Sequence, residues 1–306
     1  MQAQKLNAGH GWLWIRAGWL LFKRQPIAFA ALLFGYLFVL LFASMVVGVA
    51  ARSLASLIPA LSADLVEALG SALIATLTPG LTAGFMEACR RADAGVAISP
   101  ALLVAPFRAG RDSVRQLLIL GFVQVGVLIC IVLVTGALDT SPPAQQSTSA
   151  APSTSAPADA RGATAGGSST AGATHAEDPP NIDSIRHAAF VSLVQALAYL
   201  PVAMLMWYAP VLVVWHRLSA MKALFFSGIA VARNIRPFIV YGLGWMAIWS
   251  TFSILLGVLA RVIGMGNFSA LLAAPPAMLF LTWMYCSFYP TYATVFVEKE
   301  KSAESG

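Results

Sequence analysis

Charge is scarce in this sequence. Only 10% of its 306 residues are Asp, Glu, Lys or Arg, while 58% are apolar and the mean hydropathy is +0.76. A soluble globular chain carries about 25% charged residues. The 19 basic and 13 acidic side chains cannot supply a water-facing surface for a chain of this length. Cysteine is also rare: Cys89, Cys130 and Cys286 stand far apart, beside apolar runs, with no CxxC and no Cys/His cluster. That excludes a zinc ribbon or a redox pair and leaves three small packing residues. The four histidines, His10, His175, His187 and His216, pair with no carboxylate at catalytic spacing. HExxH, GxSxG and a phosphate-cradling glycine loop are all missing, so no metal, no cofactor and no catalytic residue is expected.

What fills the chain instead is long apolar runs. The first, Pro26 to Ala50, holds no charge over twenty-five residues. A signal peptide uses an apolar region of about 7–15 residues, whereas this run is long enough to cross about 30 Å of hydrocarbon. It is therefore expected to be a retained span. Further runs follow at Ala68–Ala88, Leu117–Leu138, Ala188–Val214, Phe238–Ala260 and Phe268–Phe296. Six transmembrane helices in an all-α polytopic membrane protein are expected, because a lipid-exposed backbone must satisfy its own hydrogen bonds. The short alternating segments of a β-barrel are absent.

Between the third and fourth runs lies a stretch of Ser, Thr, Ala, Pro and Gly without apolar periodicity. Such a composition cannot bury enough surface to offset chain entropy and is expected to be a disordered loop. Three regions result: an N-terminal membrane half, 1–138; the loop, 139–184; and a C-terminal membrane half, 185–306. Orientation follows from the basic residues. Fifteen of the 19 fall on the side that holds both chain ends, and only Arg52, Arg161, Arg186 and Arg261 on the other. Both termini are thus expected in the bacterial cytoplasm, with the loop in the periplasm. The net charge of +6 is accounted for by this bias, so no nucleic-acid partner is implied.

The basic residues also sit on short amphipathic segments. From Leu103, the residues Leu103, Phe107, Gly110, Val114 and Leu117 form one stripe, opposed by Arg108, Arg111 and Arg115. From Met221, the stripe Met221, Leu224, Gly228, Val231 and Ile235 is opposed by Lys222, Arg233 and Arg236, which predicts a helix within 217–236. A weaker copy near the N-terminus places Trp12, Ile15, Trp19 and Phe22 on one face and Arg16 and Lys23 on another. Helices of this form lie in the membrane interface. Each runs into a span through a similar junction: Lys23-Arg24-Gln25-Pro26, Val114-Arg115-Gln116-Leu117 and Ile235-Arg236-Pro237-Phe238. Each is followed by two spans. The chain reads as a threefold repeat of a basic interfacial helix and a transmembrane hairpin, parallel rather than inverted.

Two features suggest function. The basic faces, Arg108, Arg111, Arg115, Lys222, Arg233 and Arg236, suit anionic lipid headgroups, each cation contributing about 1 kcal/mol near an anionic leaflet. They also suit a membrane-protein partner or a second copy of the chain. The plain alternative is that they orient the chain and do no more. The second feature is the breakers inside the spans: Pro79, Gly80, Pro201, Pro210, Pro275 and Pro276. In transporters, such breaks free carbonyls to hold a solute, but they are also ordinary in membrane helices. Ionisable residues within the spans are nearly absent, Glu87 excepted near one end, which argues against a proton-coupled pump.

The stretches Trp207-Tyr208-Ala209-Pro210-Val211-Leu212, Ala220-Met221-Lys222-Ala223-Leu224-Phe225-Phe226-Ser227 and Arg233-Asn234-Ile235-Arg236-Pro237-Phe238 resemble a family of uncharacterised multi-pass inner-membrane proteins of proteobacteria. The opening Gly11-Trp12-Leu13-Trp14-Ile15 with Phe22-Lys23-Arg24-Gln25-Pro26 is similar to the start of that family. More distantly, the pattern is similar to the membrane domain attached to some glycerophosphodiester phosphodiesterases, whose soluble catalytic domain has no counterpart here. The resemblance implies an inner-membrane location and transfers no catalytic residue. The leading expectation is a non-enzymatic protein that engages anionic lipid or a partner through a basic cytoplasmic face, in envelope or membrane biogenesis. The rival is a small-solute or lipid transporter that uses the proline-broken spans.

Overall fold

Hydrocarbon offers a backbone no water to bond, and a helix satisfies its N–H and C=O groups within one segment. The computed structural model of the chain follows that rule. It describes residues 4–58, 62–138, 182–262, 264 and 269–296, and these include no β-strand. The helices are α1 (His10–Arg24), α2 (Pro26–Leu57), α3 (Ala63–Ala75), α4 (Thr78–Asp93), a 3-10 helix (Pro100–Arg108) and α5 (Arg111–Leu138). After the loop come α6 (Ile182–Met206), α7 (Ala209–His216), α8 (Ala220–Arg233), α9 (Ile235–Val262), α10 (Ser269–Cys286) and α11 (Phe288–Val295).

Among the described residues, five stretches are long and apolar enough to span a membrane: Pro26–Leu57, Leu65–Asp93, Arg111–Gly136, Ala189–His216 and Ile235–Val262. Large side chains stand bare along them, among them Phe34, Phe38, Leu41 and Met45 on α2 and Met246, Ile254 and Leu255 on α9. In water such continuous patches would drive aggregation; in lipid they meet their own kind. This is an all-α polytopic membrane protein. The sixth apolar run forms α10 and α11, and the residues that precede α10, 265–268, lie outside the described residues.

The chain divides into two compact units, Met1–Ile129 with Tyr199–Gly306, and Cys130–Ala198. The second comprises the last residues of α5, the first part of α6 and the segment between them. Residues 139–181, most of the expected loop, lie outside the described residues, and α6 begins at Ile182, three residues before the boundary drawn from composition.

Along the chain, the described helices fall into three groups of like order. A short helix, an unbroken long helix and a helix broken in two recur as α1, α2, α3–α4; the 3-10 helix, α5, α6–α7; and α8, α9, α10–α11. Of the expected breakers, Pro79 and Pro210 sit in the first turns of α4 and α7, where a missing N–H costs nothing. The others do not break a helix. Helix α6 continues through Pro201, and α10 through Pro275 and Pro276. Proline's fixed φ suits a helix, and its lost bond is tolerated when neighbours compensate. The third break falls at Ser287, ahead of Pro290 in the first turn of α11.

Each break is held by the next repeat, and the third is held by the first. At the first break, Gly121 of α5 lies against the Thr76 backbone with no room for a Cβ, and Gly80 and Gly84 press against Phe107 and Leu103 of the 3-10 helix. At the second, the Ser227 hydroxyl of α8 accepts the Tyr208 N–H at 2.9 Å and donates to the Met204 carbonyl at 3.0 Å. At the third, Gly18 of α1 abuts Ser287, and Trp283 Nε1 donates to the Ile15 carbonyl at 3.0 Å.

The junction amides repeat the pattern. Gln25 donates to the Val96 carbonyl and accepts the Ile98 N–H, tying down the approach to the 3-10 helix. Gln116 accepts the Ala220 N–H at the start of α8. Asn234 accepts the Leu6 N–H and donates to the Gln4 carbonyl, in the approach to α1. The third equivalent position is therefore Asn234, following Arg233, rather than the Arg236-Pro237 pair expected from sequence. Repeat one grips two, two grips three, and three grips one.

The short helices differ from their expected form. The segment after Leu103 is not one amphipathic α-helix running to Leu117. It is a 3-10 helix with Pro100 in its first turn and Pro106 inside it, Gly110 turns the chain at φ 118°, and Arg111 and Arg115 belong to the first turns of α5. Helix α8 spans 220–233, and its buried face is Ala220, Ala223, Leu224, Ser227, Ala230 and Val231. Met221 and Ile235, expected on that face, are exposed. Helix α1 buries Gly11, Trp14, Ile15, Gly18, Leu21 and Phe22, while Trp12 and Trp19 stay open. In both helices small residues admit the neighbouring backbone, so close approach rather than side-chain size selects the buried face.

Candidate functional site

The short halves α4, α7 and α11 converge. Glu87 of α4, 8% exposed, accepts Trp215 Nε1 of α7 at 3.0 Å and pairs with Arg90 and Arg91 at 2.8 and 3.1 Å. The Arg90 guanidinium lies 4.7 Å from the Trp215 ring centre, within cation–π range. Trp215 packs edge-on against Tyr292 of α11, whose hydroxyl bonds His216. Glu87 is thus fully engaged by two cations and an indole. The spacing Glu87, Arg90, Arg91 puts all three on one helix face at i, i+3 and i+4.

Beside this junction lie three adjoining hollows. One of about 380 Å³ is lined by Arg111, Arg115 and Arg217, with Asp112 as its one carboxylate among the described residues. It shares Arg217 with a second, of about 330 Å³, which Glu87, Arg90 and Arg91 also line. That hollow shares Arg90 and Trp215 with a third, of about 240 Å³, lined further by His216, Tyr289 and Tyr292. Arg217 ends α7 in the left-handed region at φ 50°, ψ 35°. Glycine occupies that position at least cost. An arginine there accepts backbone strain, and strain of this kind gathers at functional sites.

A fourth basic hollow, of about 540 Å³, is lined by Lys5, Arg233 and Arg236. Next to it runs an apolar groove of about 570 Å³, and Ile235 lines both.

The six expected cations thus fall into two groups and a remainder. Arg111 and Arg115 share one hollow, Arg233 and Arg236 another, and Arg108 and Lys222 are exposed and line neither. Arg90, Arg91, Arg217 and Lys5 join them without having been singled out. Arg217 was hidden because its role depends on the left-handed turn. Arg90 and Arg91 carried a signal in their spacing from Glu87. What the arrangement can do chemically is bind anions: planar guanidinium groups in half-open polar hollows pair well with phosphate oxygens.

A polytopic helical membrane protein with cationic hollows is the class these observations define. A probable inner membrane protein of Burkholderia thailandensis, BTH_II0599, is 32% identical over 319 residues, covering 99% of this chain and 97% of the relative. The chain belongs to the family of that protein and is a multi-pass inner-membrane protein. No family model matches it, and no solved structure does.

Proposed function

We propose that the chain is a non-enzymatic inner-membrane protein that engages anionic phosphate-bearing groups, chiefly lipid headgroups, through its basic end. In this reading α10–α11 is the sixth span, both termini lie in the cytoplasm and residues 139–184 face the periplasm, as the bias of Lys and Arg supports. The distant similarity to the membrane domain of glycerophosphodiester phosphodiesterases belongs to the same reading, as a membrane module without transferred chemistry. A membrane-protein partner or a second copy of the chain is the other counterpart it allows. The single observation that carries it is the run of three adjoining hollows joined by Arg217 and Arg90.

The transport reading needs open breaks. Here Tyr208 and Leu212 are fully buried beside the second break, and the third is filled by Ser287 bonded to Tyr241 at 2.6 Å. That packing, with the apolar lining of the groove beside both breaks, favours the surface role over passage of a polar solute. The test is Arg111→Gln combined with Arg115→Gln and Arg217→Gln, neutral changes that leave most of the orienting charge in place. The variant should insert normally and copurify with several-fold less anionic lipid relative to zwitterionic lipid. Unchanged anionic lipid on a correctly inserted variant would overturn the reading.

A further inference from the structure

We infer that Lys5, Arg233, Arg236 and the adjoining groove form one bipartite site for an anionic phospholipid, the headgroup in the basic hollow and an acyl chain in the groove. The inference rests on the reading above and names a second, distinct site with a tail as well as a head. Three observations carry it. First, the hollow has three cations and, among the described residues, no carboxylate in its lining. An anion entering it meets attraction only, and the phosphodiester group is the anion that phospholipids share.

Second, the groove begins where the hollow ends, at Ile235, so a molecule charged at one end and apolar at the other fits both without a bend through polar ground. Its wall along α9 runs from Ile235 to Met246. At 1.5 Å per residue that is roughly 16 Å, close to one leaflet of a hydrocarbon core about 30 Å thick. Third, the groove's rim is open to the membrane: Leu200, Ile239, Leu243 and Met246 are all exposed. Met204, Met246 and Met284 line it, and their flexible thioethers adapt to a mobile chain. A soluble phosphate would use the hollow and leave the groove unexplained.

The experiment uses the full chain in detergent, titrated with phosphatidylglycerol and read by native mass spectrometry. Phosphatidylcholine serves as the zwitterionic reference, and millimolar glycerol phosphate as a soluble competitor. Arg233→Gln with Arg236→Gln removes two cations, and at about 1 kcal/mol each the bound anionic lipid should weaken roughly thirtyfold. Gly242→Phe fills the groove. A side chain at Gly242 starts in open space, so the variant should fold. Ile239→Trp fills it from the next turn as a second variant. Gly257→Phe, equally open but far along α9, is the control.

The expected result is that the head and groove variants each lose phosphatidylglycerol, the control keeps it and glycerol phosphate does not displace it. Loss in the arginine variant alone, with both groove variants unchanged, would overturn the bipartite site while leaving headgroup engagement by the basic end intact. Displacement by glycerol phosphate would reassign the hollow to a soluble ligand and likewise overturn it. No loss in any of these variants, nor in the one that neutralises Arg111, Arg115 and Arg217, would overturn both.

Discussion

Asn234→Ala removes the amide through which the third repeat grips the first. The side chain is wholly buried. Its oxygen accepts the Leu6 N–H at 2.8 Å, and its nitrogen donates to the Gln4 and Ala230 carbonyls, both at 2.9 Å. Deletion leaves the Leu6 N–H and the Gln4 carbonyl without these partners. An unsatisfied buried group costs about 1–3 kcal/mol. Water reaches this segment in part, since Lys5 is exposed and Leu6 half-buried, which sets the sum near the low end, about 2–3 kcal/mol. The N-terminal segment should then open roughly 30 to 150 times more often, at 1.4 kcal/mol per tenfold.

Tryptic cleavage after Lys5 reads that opening directly when reclosing is fast relative to cutting. Asn234→Asp keeps the bond to Leu6 but turns its second oxygen on two carbonyls, so it should open the segment as well. Gln25→Ala, whose bonds lie at another junction and partly in solvent, should leave Lys5 as protected as in the parent chain. Cleavage of Asn234→Ala within threefold of the parent rate would refute the closure of repeat three upon repeat one.

Two further outcomes follow from the packing. Gly121→Ala should lower the melting temperature in detergent, because its Cβ would collide with the Thr76 backbone, whereas Gly126→Ala on the same helix meets nothing and should hold or gain up to about 1 kcal/mol of helix propensity; equal effects would remove the case for contact at the first break. Glu87→Ala should cost about 1–3 kcal/mol, since Arg90 and Arg91 are half exposed and can turn to water while Trp215 Nε1 loses its acceptor. Thermal unfolding against the parent chain measures it, and an unchanged midpoint would deny Glu87 its place as the tie between α4 and α7.

The sequence by itself determined the medium and the class. A shortage of charge and uncharged runs of twenty residues and more admit no aqueous surface, and that constraint acts on composition, before any contact forms. Three basic segments, each ahead of paired apolar runs, could be read there too, with Arg111, Arg115, Arg233 and Arg236 upon or beside them. Only tertiary structure decided which prolines end helices, since Pro201 and Pro290 differ in their neighbours rather than in their chemistry. The buried faces of α1 and α8 were decided there too. A glycine or serine is buried when another backbone comes close, as Ser287 does at Gly18 and Tyr208 at Ser227, and hydrophobic periodicity does not register that approach. The hollows were illegible for the same reason. Arg90 and Arg217 are far apart in the chain, and what joins them at one cavity is the convergence of α4 and α7, a property of long-range packing that no local pattern encodes.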